Sequence, residues 1–271
     1  MISVLSDMMS YTFIVRAMIV GGLVALCSAL LGVSLVLKRY SMIGDGLSHV
    51  AFAALTIAVA MNVAPLYIST PIVTVAAIIL LRLSENSKIK GDSAIALIST
   101  VSIAIGVVVT ALTKGMNTDV YSYMFGSILA MSESDVYMSI ALSVVVIILF
   151  VFFYNKIFAV TFDESFAKAT GTRADAYNMI IAVLTAITIV VGMRIMGTML
   201  ISSLIIFPAL ISMRNFKTFK SVTICSAIVS VVCFLLGIIL SYLYSIPTGA
   251  SIVLVNTVAL ILSYLIGELR H

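Results

Sequence analysis

The 271-residue chain is 62% hydrophobic and 10% charged, with a mean hydropathy of +1.26, whereas soluble domains carry about 25% charged residues. Its 15 basic and 11 acidic side chains are too few to cover a water-soluble fold, so lipid is the expected solvent. The net charge of +4 is not gathered into any cluster dense enough to track a phosphate backbone, which excludes a nucleic-acid partner.

A hydrocarbon core about 30 Å thick needs roughly 20 residues of helix. The chain offers that unit near 13–37, 44–62, 65–83, 93–113, 136–154, 177–195, 196–213, 221–243 and 248–267. The predicted fold is therefore all-α: a polytopic membrane protein of about nine helices, forming one transmembrane domain over residues 1–271. The first twenty residues lack the basic start and small-residue cleavage site of a signal peptide, so targeting is expected to fall to the first span. Alternating the spans puts Lys38, Arg39, Arg82, Lys88, Lys90, Lys156, Lys168, Arg173, Arg214, Lys217, Lys220 and Arg270 on one side. Only Arg16, Lys114 and Arg194 fall on the other. The positive-inside rule makes the richer side cytoplasmic, with the C-terminus inside and the N-terminus outside.

The second span begins with SMIGDGLSHVAFA, residues 41–53. Asp45 and His49 are four apart, so a helix puts a carboxylate and an imidazole on one face, within reach of one cation. That donor pair suits zinc, manganese or ferrous iron. Gly44 and Gly46 would let the helix start late or break, carrying the pair deeper. The blander possibility is that Asp45 caps the helix and His49 bonds a neighbouring span.

Between the fourth and fifth spans, residues 120–131 (VYSYMFGSILAM) are apolar but too short to cross, which predicts a re-entrant or interfacial helix on the outer side. Ser132 and Asp135 then serve as start signals for the fifth span. At 162–173, FDESFAKATGTR predicts a short cytoplasmic helix. Asp163 caps it, Phe162 and Phe166 supply apolar contacts, and Gly171 takes the left-handed position that ends it. Met193, Met196 and Met199 form a stripe whose expected role is packing, since the chain has 15 methionines. Gly192, Gly197, Ser202 and Ser203 allow close helix approach, and Pro208 is expected to kink the seventh span. Cys27, Cys225 and Cys233 all lie in apolar runs as small hydrophobes. No GxxxxGK[ST], GxGxxG or HExxH motif is present, so the chain is not expected to hydrolyse ATP or act as an enzyme by itself.

GDGLSHVAFA (44–53), DESFAKATG (163–171), GMRIMGTMLISSLIIFPA (192–209) and YLYSIPTGA (242–250), in that order, resemble the permease subunits of the ABC transporters that import zinc and manganese. The resemblance spans essentially the whole chain. It implies a fold similar to that of the cobalamin-importer permeases and a homodimer around one pathway in a prokaryotic cell membrane. It further implies ATP bound by two cytoplasmic subunits rather than by this chain, an extracytoplasmic metal-binding protein, and Zn²⁺ or Mn²⁺ as cargo, with no cofactor held here. Asp45 and His49 match the pathway positions; Asp163, Glu164, Phe166 and Gly171 match the ATPase-coupling segment. The alternatives are a permease for a metal chelate or cobalamin, a proton-coupled transporter working alone, and a structural membrane protein.

Overall fold

The computed structural model describes residues 8, 10–86, 91–113 and 133–269. The segment 120–131 lies outside the described residues, as do Lys88, Lys90, Lys114, Arg270 and His271. Every described element is helical. In chain order they are α1 (Thr12–Leu37), α2 (Ile43–Ala60), α3 (Pro65–Asn86), α4 (Gly91–Leu112), α5 (Glu133–Phe152), α6 (Tyr154–Phe162), α7 (Glu164–Ala169), α8 (Ala174–Met196), α9 (Thr198–Asn215), α10 (Phe219–Tyr244) and α11 (Thr248–Leu269). Eight of them are long and apolar enough to cross a membrane, and α9 carries a shorter apolar stretch, Leu200–Asn215. These nine coincide with the predicted spans.

The helices hold together as lipid-solvated helices must, through small residues and interhelical hydrogen bonds rather than through exclusion of water. A methyl group on Gly32 would stand 2.1 Å from the Ile205 backbone oxygen, and one on Gly192 would meet Ile201 and Val24. Ser226 and Ser230 of α10 donate to the Ala29 and Ala25 carbonyls of α1, at 3.3 and 2.8 Å. Ser251 of α11 donates to Gly237 of α10 at 2.6 Å. Helix α1 is central, packed by α5, α8, α9 and α10, while α2 lies among α3, α4, α8 and α9.

Side-chain contacts tie the helix ends to common sides. Lys38 at the end of α1 meets Glu164 in α7 and Asn178 in the first turns of α8, so these ends share one face, the one that the charge pattern makes cytoplasmic. At the opposite end of α1, Arg16 pairs with Glu133 at the start of α5 at 2.5 Å. One of the three basic residues assigned to the outer side is thereby neutralised.

The turn between the sixth and seventh spans is a single residue, Gly197, at φ +83° and ψ 165°, a conformation closed to residues with a Cβ. Pro208 sits inside α9 without ending it. Met193 and Met196 are fully buried, in keeping with a packing role. Cys27 and Cys233 are buried, and Cys225 is partly so.

A candidate cation pair and the cytoplasmic coupling segment

Helix α2 runs unbroken from Ile43 to Ala60, with Gly44, Asp45 and Gly46 in its first turn. The glycines do not break it. Gly44 lets the helix close on α9, where an added methyl group would stand 3.2 Å from Ile205 Cδ1 and 3.8 Å from Ser202 Oγ. Gly46 does the same on α4, where a methyl group would stand 2.8 Å from Ile95 Cγ2 and 3.5 Å from Ser99 Oγ. Asp45 lies between those two contacts in sequence, so its side chain, with His49 one turn on, leaves α2 between α9 and α4. The Ser99 and Ser202 hydroxyls beside this turn have no hydrogen-bond partner.

The same contacts set the depth. Ile205 lies near the middle of α9, about 15 Å of helix before its cytoplasmic end, and it touches both Gly32 of α1 and Gly44 of α2. Ile95 and Ser99 lie one to two turns into α4. Helix α2 therefore starts inset from the Asn215 end of α9, and Asp45 and His49 reach into the helix bundle through the short turn that follows α1, not through a broken helix.

His49 Nε2 is 3.7 Å from Asp45 Oδ2. Two donors sharing one tetrahedral cation at bond lengths near 2.1 Å stand about 3.5 Å apart, so the pair is spaced for a shared ion. The Asp45 side chain is 40% exposed in the single chain and that of His49 14%. A carboxylate open at this depth cannot face hydrocarbon cheaply and belongs against a wet pathway or a partner chain. Among the described residues no group of three or more His, Cys, Asp or Glu side chains forms a closed metal cluster. Nor does Asp45 cap α2: the N-cap is Met42, which makes no side-chain cap bond.

The predicted cytoplasmic helix is α7. Asp163 caps it, accepting from Phe166 N at 2.9 Å, and Gly171 at φ +82° ends it, with Thr172 N bonded to Ala167 O at 2.9 Å. Phe162, the last residue of α6, keeps an apolar contact with Phe158 at 5.6 Å between ring centroids but is 71% exposed, and Phe166 is 65% exposed, because the inward face of the six-residue α7 is taken by Ala167 and Glu164.

Glu164 is the hub of that inward face. It accepts from Lys38 Nζ at 3.0 Å, from Asn178 Nδ2 at 3.1 Å and from Lys168 Nζ at 3.0 Å. Partial burial raises its carboxyl pKa, but the three donors outweigh burial and hold it down at about 2. Lys168 also pairs with Asp175 at 2.9 Å, and Asp175 followed by Glu164 raises the Lys168 ammonium above its usual range. Lys38, Asn178, Lys168 and Asp175 were not singled out from the sequence. Cations at span ends read as topology signals, and no spacing rule links residues 38, 164 and 178.

The profile of the ABC 3 transport family matches residues 10–267. The chain belongs to this family. As an ABC 3 member it is a permease subunit, a multi-pass protein of the cell membrane. It is 26% identical to the manganese transport system membrane protein MntC of Halalkalibacterium halodurans, over 95% of this chain and 88% of that one. It is 29% identical to the high-affinity zinc uptake system membrane protein ZnuB of Haemophilus influenzae, over 91% and 95%. Among solved structures it is similar to PsaBC from Streptococcus pneumoniae in complex with Fab, with a TM-score of 0.87 and 26% identity over 97% and 95% of the two chains. For this ABC 3 permease the fold agrees with that neighbour along nearly the whole chain.

Proposed function

We propose that this ABC 3 permease works as a homodimer that carries manganese or zinc ions inward, driven by ATP hydrolysis on two cytoplasmic subunits and fed by an extracytoplasmic metal-binding protein. The chain itself is non-catalytic and holds no resident cofactor. The observation that carries the reading is the Asp45–His49 pair, spaced at 3.7 Å for one shared cation and open between α9 and α4 at a depth where a carboxylate needs water or a partner. One copy offers two donors; a two-fold dimer would bring two carboxylates and two imidazoles, a tetrahedral set for a divalent cation. The names of the manganese and zinc relatives supply the choice of metals.

The second half of the reading is coupling. Asp163 and Gly171 fix the ends of α7, Glu164 ties it inward, and Phe166 presents an exposed ring to the cytoplasm, where an ATP-binding subunit would seat it. The test is elemental analysis of cells lacking the gene, after repletion with the intact chain or with Asp45→Ala/His49→Ala. Loss of cell manganese or zinc that only the intact chain restores supports the reading and names the metal. Full rescue by the double variant removes the pair from the pathway, and unchanged metal content on deletion overturns the importer.

A further inference from the structure

We propose that Lys38 is the positioning residue through which movement of α7 reaches the cation pair, Glu164 and Asn178 being the other members of the joint. This rests on the coupling role proposed for α7.

Three elements meet at one point. The Lys38 side chain is only 9% exposed, and its ammonium donates to Glu164 Oε2 at 3.0 Å and to Asn178 Oδ1. Asn178 Nδ2 closes the ring by donating to the same Glu164 oxygen at 3.1 Å. Each pair of members is bonded, so α7, the end of α1 and the start of α8 hold one geometry, and the charge-assisted bonds resist displacement better than neutral ones.

The ring sits directly above the turn that leads to the pair. Lys38 is the C-cap of α1. Arg39 follows in the left-handed region at φ +61°, an uncommon conformation for a residue with a side chain. Tyr40 N then bonds back to Leu35 O at 2.8 Å, and Ile43 N bonds to Tyr40 O at 3.0 Å, which starts α2 two residues before Asp45. Tyr40 and Ile43 share a small apolar socket with Leu35, Leu81, Ile181 and Lys38. The turn is short, constrained and packed, so displacement of Lys38 is passed to Ile43 and the first turn of α2 rather than absorbed. On α7 itself the work is divided: Phe166 is exposed and Glu164 points inward. A push on the outer face of this short helix is therefore delivered at Lys38. The two charges of an exposed salt bridge alone would add little; the joint depends on burial of the lysine and on the amide that bonds both partners.

The experiment uses the full complex, permease with its ATP-binding subunits and metal-binding protein, reconstituted in vesicles with Mn²⁺ and with Zn²⁺. ATP hydrolysed per ion taken up is compared for the unaltered chain, Lys38→Glu, Glu164→Lys, their combination and Lys38→Arg. Losing one charge-assisted hydrogen bond corresponds to about tenfold, so each charge reversal should raise the ratio about tenfold with the ATP-binding subunits still co-purifying. Lys38→Arg should keep it within about twofold, and the combination should recover part of the loss, because its new lysine faces Lys168, which pairs with Glu164 in the unaltered chain. A joint that merely staples the fold would lower the yield of assembled complex and leave the ratio alone. Where Lys38→Glu fails to accumulate, Asn178→Ala breaks the ring without adding a charge, and a ratio raised about threefold is expected. Ratios unchanged in the single variants, or a combination no better than either one, overturn this inference alone. Absence of metal-dependent uptake by the unaltered complex overturns the transport reading and the inference with it.

Discussion

Two glycines of α1 allow the packing of α9 to be weighed directly. In Gly32→Ala the new methyl group would stand 2.1 Å from the Ile205 carbonyl oxygen, 3.0 Å from its carbon and 3.2 Å from its Cα. The obstacle is backbone, so no side chain can rotate away, and α1 and α9 must separate by about 1 Å to restore an ordinary contact distance. Overpacking of this kind costs about 1–3 kcal/mol. In Gly22→Ala, on the same helix, the methyl group would meet nothing within 4 Å. Both substitutions gain the same helix propensity, about 1 kcal/mol, so the difference between them isolates the steric cost: Gly32→Ala should be the less stable by about 1–3 kcal/mol. The assay is equilibrium unfolding of each variant in mixed micelles, titrated with a denaturing detergent and followed by helix content. Because Ile205 also touches Gly44, the displaced α9 should disturb the first turn of α2, and metal uptake by Gly32→Ala should fall while that by Gly22→Ala does not. Equal unfolding midpoints for the two variants would refute the reasoning, since they would mean that the α1–α9 contact is looser than the structure shows.

The acid response of α7 has a defined sign. The Glu164 carboxyl sits at about 2 in the folded chain against 4.5 when free, so its contribution is complete above about pH 4.5 and is lost as the pH falls towards 2. Glu164→Gln should be less stable at neutral pH and show a flatter loss through that window, measured as thermal unfolding against pH; parallel curves would remove the ion pairs from the account. Gly171→Ala forces a Cβ into φ +82° at a cost of about 1–2 kcal/mol. It should loosen the end of α7 and lower metal-stimulated ATP hydrolysis, as should Phe166→Ala through loss of the exposed ring; normal stimulation in both would place the coupling surface elsewhere. Arg16→Gln removes an ion pair whose side chains are 35% and 71% exposed, so stability should change by less than about 1 kcal/mol, and a larger drop in the detergent titration would mean that the pair is more shielded than the single chain suggests.

Membrane residence and the number and bounds of the spans were legible in the sequence alone, because apolar length answers to the bilayer rather than to neighbouring helices. The pairing of Asp45 with His49 and the ends of α7 were legible for a related reason. Helical spacing, an N-cap aspartate and a left-handed glycine are local devices that act within a few residues. What could not be read locally depends on which helices touch. The outward turn of Phe162 and Phe166, the inset start of α2 and the use of Gly44 and Gly46 as contact points follow from the surfaces that α9, α4 and α7 present. The joint sets Lys38 against Glu164 and Asn178, each more than 100 positions away, and only the meeting of α1, α7 and α8 brings these three polar groups within hydrogen-bonding distance, where burial of the lysine and the amide makes a partner obligatory.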